Sequence, residues 1–161
     1  MSCENLVSVV VVDDHPITRH GIIDMLSISD HIWVLGEADN AVSAIREITN
    51  LVPDIVLLDI RLPGASGLDI CRTLQRKSLR SRVIILTSYE NEDYIFDALR
   101  AGAWGYVLKI AGFVELEQAI LFVSRGVRTL SEPLINALVD QYSNIAREKA
   151  ILESGLDIEE L

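Results

Sequence analysis

Five short, almost purely apolar runs punctuate the chain, at Val7–Val12, 32–35, 54–58, 82–86 and Gly105–Leu108. Uniformly apolar, β-branched runs of this length read as strands buried on both faces, as in a parallel sheet covered by helices on each side. Between them the apolar positions switch to a helical period. Ile17, Ile22, Met25 and Leu26 fall on one face of a first helix, with Pro16 suited to its opening turn. Ala41, Ala44, Ile45 and Ile48 mark a second, and Leu68, Cys71 and Leu74 a third. Tyr94, Ile95, Ala98 and Leu99 mark a fourth that stops near Gly102, and Leu116, Ala119, Ile120 and Val123 a fifth.

A strand–helix unit repeated five times predicts an α/β fold with a doubly wound, five-stranded parallel sheet. The strand ends fall near Asp13, Glu37, Asp59, Thr87 and Lys109, at intervals of 22 to 28 residues, each the length of one such unit. Right-handed crossovers put all the strand C-termini on one edge of the sheet. Polar residues at those ends therefore converge in space although they are scattered in sequence, and ligands of such sheets bind at that edge.

The segment 126–161 is not needed for five units, so the chain divides into a domain at 1–125 and a linker with a C-terminal helix. Ser131 reads as the helix cap, Pro133 as a first-turn residue, and Leu134, Leu138, Val139, Tyr142 and Ile145 as an apolar stripe.

Composition narrows the function. Half of the 161 residues are hydrophobic, enough for one sizeable core. The net charge of −10 and the pI near 4.6 argue against direct contact with nucleic acid, which needs clustered Lys and Arg. The tail carries three basic residues against seven acidic ones and shows no DNA-binding module. Cys3 and Cys71 form no ligand motif and read as reduced thiols. The first apolar run is too short to span a bilayer, and the start lacks a basic region, so a soluble, cytoplasmic chain with no membrane contact is expected.

The residues that follow the strands carry the chemistry: Asp13 and Asp14, Asp59, Thr87 with Ser88, and Lys109. Three carboxylates at one edge repel unless a cation neutralises them. Magnesium is the natural partner, because it takes few carboxylates, keeps waters and accepts a phosphoryl oxygen. Lys109 can hold a phosphoryl group as a point charge, Thr87 can donate to it, and one carboxylate remains as nucleophile for an aspartyl phosphate. Each residue has a plainer reading by itself. Asp14 suits a helix N-cap, Asp59 a turn, the Thr87–Ser88 pair a strand-end cap, Lys109 a solvated cation, and Trp33, Trp104 and Tyr106 packing. Glu90 suits either a loop carboxylate or a group that tunes kinetics. His15, His20 and His31 are not spaced as a metal triad.

Taken together, Asp13–Asp14, Asp59, Thr87 and Lys109 resemble the signature of response-regulator receiver domains. The stretch 57–67, with Pro63–Gly64 and Gly67, is similar to that family's phosphoacceptor strand and loop, and 101–109 is similar to the approach to its lysine. The segment 126–131 resembles the linker entrance of NarL/FixJ (LuxR-type) regulators. The resemblance covers about residues 6–125. It implies a flavodoxin-like (βα)5 fold with strand order 2-1-3-4-5, and Asp59 as phosphoacceptor. It implies Mg2+ ligated by Asp14 and Asp59, by Asp13 largely through water, and by the backbone carbonyl of Arg61. Thr87 and Lys109 would hold the phosphoryl group, and Tyr106 would be an aromatic switch. Implied partners are a sensor histidine kinase or phosphotransfer protein, and a second copy docked through the fourth helix, fifth strand and fifth helix or through the first and fifth helices. An output domain beyond this chain would control transcription.

One departure is Ile110, where many receivers have proline, so the turn after the fifth strand is expected to differ. A dehalogenase-type phosphatase would need a second acid at Arg61, and a nucleotide-binding domain a glycine-rich loop at 13–16. The remaining alternative is a stand-alone or non-phosphorylated pseudo-receiver, an interaction module; a working switch would be a phosphoacceptor rather than an enzyme acting on an external substrate.

Overall fold

A computed structural model describes residues 6–88 and 92–155. Cys3, Glu90 and the last six residues lie outside the described residues. The strands are β1 (Val7–Val12), β2 (Ile32–Ala38), β3 (Ile55–Leu58), β4 (Arg82–Thr87), β5 (Gly105–Leu108) and β6 (Thr129–Leu130). The helices are α1 (Pro16–Ser27), α2 (Ala41–Leu51), α3 (Gly67–Arg76), α4 (Glu92–Arg100), α5 (Phe113–Ser124) and α6 (Glu132–Ser154). All strands of the main sheet pair in parallel, in the order β2-β1-β3-β4-β5-β6. The order 2-1-3-4-5 is the one expected from the resemblance.

The sheet has six strands where the periodicity predicts five. Two-residue β6 pairs Thr129 with Gly105 and Leu130 with Tyr106, inside the stretch expected to be linker. A strand that short carries no period to read. Leu134 of α6 is also fully buried in the core, whereas Val139, Tyr142 and Ile145 further along the helix are exposed. Ser131 does precede the helix, but its hydroxyl makes no cap; it accepts the N–H of Leu108 at 3.3 Å.

Successive residues of each strand feed opposite faces of the sheet. Val10, Val12, Val56, Leu58, Ile85 and Tyr106 meet α2, α3 and α4 on one side. Val9, Val11, Ile55, Leu57, Ile84 and Val107 meet α1 and α5 on the other. This two-sided burial explains why the strands read as continuous apolar runs.

α1 corrects one reading. Ile17 is 89% exposed, while Ile22 and Leu26 are buried. The position of the first turn that shares their face is three residues before Ile22, and Arg19 occupies it, buried.

After β3 the chain makes a small antiparallel hairpin, Arg61–Leu62 with Ala65–Ser66. Gly64, at φ +81°, takes the left-handed conformation that follows proline in a type II turn. Ser66 and Asp69 then open α3 with a reciprocal capping box.

Candidate functional site

The ladder continues one residue beyond three of the strands. Asp13 N–H donates to Ala38 carbonyl at 3.1 Å, Asp59 N–H to Val12 carbonyl at 3.0 Å, and Lys109 N–H to Thr87 carbonyl at 2.7 Å. The three charged residues are thereby placed by backbone pairing on one rim, before their side chains contribute anything. Gly67 backs this rim. A Cβ there would lie 2.6 Å from the Asp59 carbonyl oxygen, so only glycine lets the start of α3 approach the end of β3.

Lys109 reaches back across β4 and ties the acids together. Its Nζ donates to Asp13 Oδ2 at 2.8 Å and to Asp59 Oδ2 at 3.0 Å. Asp13 is 1% and Asp59 6% exposed, so these are charge-assisted bonds in a poorly hydrated setting. Burial pulls the Lys109 pKa down, but the hydrogen bonds and charges of Asp13 and Asp59 outweigh it and hold the ammonium above its ordinary value. The opposite Asp59 oxygen, Oδ1, accepts the Arg61 N–H at 3.2 Å, and Asp13 Oδ1 accepts the His15 N–H at 2.9 Å.

The rim is left with an acidic surplus. Asp13, Asp14, His15 and Asp59 each place a ligand atom within 4.8 Å of all the others. Asp14 Oδ1 is buried and meets no hydrogen-bond donor among the described residues, although His15 Nδ1 lies 2.9 Å away. That contact has the distance of an ion pair without the geometry of a hydrogen bond, and its imidazole is mostly exposed. Nor is Asp14 used as a helix cap: His15 occupies that position. A buried, unspent carboxylate oxygen beside two further carboxylates is a donor set that a small divalent cation fits. The chain therefore has an acidic pocket able to hold a metal ion.

The predicted residues meet at this rim. Thr87 is fully buried at the end of β4, paired in register with Leu108. Tyr106 lies inside, on the α2–α4 side, with no exposure and with its hydroxyl unpartnered among the described residues. Burial, then neighbouring Tyr94, pushes the phenol up to about 12. Ile110 is exposed in a turn closed by Ala111 N–H on Leu108 carbonyl. Trp104 packs, partly buried, against the core on the α1–α5 side, whereas Trp33 is half exposed on edge strand β2. Buried Cys71 has its thiol pushed up to about 12 by desolvation.

Two neighbours escaped the sequence reading. His15, set aside for want of a histidine partner, stands against Asp13 and Asp14; its adjacency to two acids was the signal. Arg19 donates from Nη1 to the Asp13 carbonyl at 2.8 Å and from Nε to Glu37 at 2.9 Å. A basic residue on an otherwise apolar helix face was the available sign.

Comparison with known proteins agrees with this geometry. The family model for the response regulator receiver domain matches residues 9–121. The chain is 36% identical over 155 residues to the DNA-binding transcriptional activator DevR/DosR of Mycobacterium tuberculosis, covering 96% of this chain and 71% of that protein. It is 35% identical over 138 residues to the nitrate/nitrite response regulator protein NarL of Escherichia coli, covering 86% of this chain and 64% of that one. Among solved structures, a LuxR-family two-component response regulator from Aurantimonas superposes with a TM-score of 0.82 at 31% identity, over 86% of this chain and 99% of its own. The chain belongs to the response regulator receiver domain family, among the NarL- and DevR-like regulators.

Proposed function

We propose that this receiver is a working phosphoacceptor switch: Asp59 takes a phosphoryl group in a Mg2+-dependent transfer from a sensor histidine kinase or phosphotransfer protein. The observation that carries the reading is the charge imbalance at the rim. Lys109 spans Asp13 and Asp59, while among the described residues Asp14 keeps a buried oxygen without a hydrogen bond.

Asp14 and Asp59 would hold the ion directly, Asp13 largely through water, and the Arg61 carbonyl would complete the protein ligands. Bound there, Mg2+ offsets the charge of the transferring phosphoryl group. In the transfer an Asp59 carboxylate oxygen forms a bond to phosphorus as the phosphorus–nitrogen bond of the phosphohistidine breaks. The imidazole leaves with the electron pair and takes up a proton. The Arg61 N–H on Asp59 Oδ1 fixes the carboxylate plane. Lys109, already 3.0 Å from Asp59, moves its hydrogen bond to a phosphoryl oxygen, and Thr87 donates to another.

The added charge then biases a pre-existing equilibrium in which Tyr106 is the aromatic reporter. Its hydroxyl, without a partner among the described residues, supports that role, because a buried donor without an acceptor is a cost that a rearranged neighbour removes. Ile17, Ile110 and Val114, exposed around this rim on α1, the β5–α5 turn and α5, offer apolar contacts to a phosphodonor protein. The switched surface is α4-β5-α5 or α1-α5, either of which can take a second copy. In functional terms, residues 1–125 carry transfer and 126–161 lead through α6 to an output domain that controls transcription. No helix among the described residues is long and apolar enough to cross a membrane. The family's signalling role supports a cytoplasmic phosphoacceptor rather than an enzyme with an external substrate.

The test is phosphodonor labelling with acetyl phosphate and Mg2+, read on Phos-tag gels. Wild type shifts, Asp59→Asn does not, and chelation abolishes the shift. Labelling retained in Asp59→Asn would remove the assignment. No labelling of wild type under any donor would turn the reading to a pseudo-receiver.

A further inference from the structure

Arg19 has no part in the proposed transfer, yet it is among the few buried charged residues of those described. It sits on the first turn of α1 and faces the sheet. Its guanidinium holds two things at once, the Asp13 carbonyl at 2.8 Å and the Glu37 carboxylate of β2 at 2.9 Å. The turn between β1 and α1, which presents both Asp13 and Asp14, is otherwise attached to β2 through Asp13 N–H on the Ala38 carbonyl. Glu37 is 43% exposed at the side-chain level and also lies 3.7 Å from His20.

We propose that Arg19 and Glu37 form a brace that positions the Asp13–Asp14 turn for its cation, making Arg19 a positioning residue of the site. The inference rests on the Mg2+ reading above. Outer partners that orient metal ligands commonly set affinity by an order of magnitude or more. The fork of arginine suits the task, because one planar group bonds a carbonyl and a carboxylate in fixed directions; lysine, a point donor, does not. The brace also eases a charge problem. A guanidinium beside the acidic rim would compete with a divalent cation, and Glu37 at 2.9 Å offsets part of its charge.

Charge and position predict opposite outcomes, which makes the idea testable. Arg19→Met removes a positive charge and leaves Glu37 unpaired, so on charge alone Mg2+ should bind more tightly. If Arg19 positions the turn, Mg2+ should bind about tenfold more weakly. The measurement is Mg2+ titration of the 161-residue chain by isothermal calorimetry, with no phosphodonor, beside thermal melts in chelator. Arg19→Lys should recover only part of the affinity. Because Arg19→Lys keeps the charge, charge alone predicts wild-type binding there, and this variant decides the matter if Arg19→Met does not fold. Unchanged or tighter Mg2+ binding in the folded variants, with only the melting temperature lowered, would overturn the brace. Absence of Mg2+ binding in wild type would instead sink the functional reading on which it rests.

Discussion

The two rims of the sheet carry similar residue types and use them differently. At the N-terminal ends of the strands, charged and polar groups are spent on the backbone. Asp54 accepts the N–H and hydroxyl of Ser8 through one oxygen, at 3.0 and 3.1 Å. Arg82 caps the end of α5 on the carbonyls of Val123 and Ser124, and Arg128 donates to the Ala103 carbonyl at 2.7 Å. Both guanidinium groups also stack on Trp104, at 4.5 and 4.3 Å from the ring centre. At the C-terminal ends the charged side chains are also spent on one another, and acid outnumbers base. Satisfied charges staple a structure; a buried surplus held in reserve makes a site. The contrast also explains why arginines at the first rim need no ligand, despite the cavities near them.

The sharpest way to break this contrast is to remove the cation that holds the acids together. Lys109→Met should leave phosphodonor labelling measurable but abolish the conformational response, followed by Trp104 fluorescence or amide shifts on beryllofluoride addition. It should also cost about 3 kcal/mol of stability without Mg2+, the range for stripping one partner from a buried ion pair, with much of that restored by Mg2+. A variant that responds like wild type would show the two rims to be alike.

Gly67→Ala tests whether the rim depends on backbone fit. With the new Cβ 2.6 Å from the Asp59 carbonyl, either α3 or the end of β3 must move. Labelling should fall by about tenfold and stability by about 2 kcal/mol. Normal labelling kinetics would show that the site tolerates the shift.

On the stapling rim the same kind of change should affect stability alone. Arg128→Ala removes a bond to a backbone carbonyl and a stacked cation, worth together about 1–2 kcal/mol, and should leave labelling rates unchanged. A slowed transfer would show that the linker end of the sheet communicates with the phosphoacceptor.

Tyr106→Phe gives the smallest shift, and its sign is diagnostic. Losing a buried hydroxyl without a partner should raise stability by about 1 kcal/mol. The phenol pushed up to about 12 also makes the native state lose stability as pH rises through the unfolded tyrosine range near 10. Below that pH both states keep the proton and the gain from this cause is complete; above it the unfolded chain ionises first. Alkaline melts of Tyr106→Phe should therefore be flatter than wild type, and equal slopes would show that the hydroxyl finds an acceptor.

Much of the architecture was legible in the chain because buried parallel strands announce themselves as apolar runs, and their regular spacing sends Asp13, Asp59, Thr87 and Lys109 to one edge. Helix faces were legible where apolar residues recur on one side, as in α5. Ile17 misled because it was placed on one face with Ile22, although a five-residue step sets the two about 140° apart around the helix; Arg19 holds the inward position instead. Residues 129 and 130 were invisible as a strand because two residues show no period, and pairing with β5 decides their state.

Residue order alone therefore determined the repeating βα unit, the sidedness of the core and the set of charged groups delivered to one rim, since local period and crossover handedness require nothing else. Only the tertiary structure decided how those groups divide their bonds: Lys109 across Asp13 and Asp59, Asp14 with an unspent oxygen, Arg19 braced on Glu37. The physical reason is that strand pairing sets where a backbone ends, whereas hydrogen-bond partners and burial depend on side chains that meet from segments nearly a hundred residues apart.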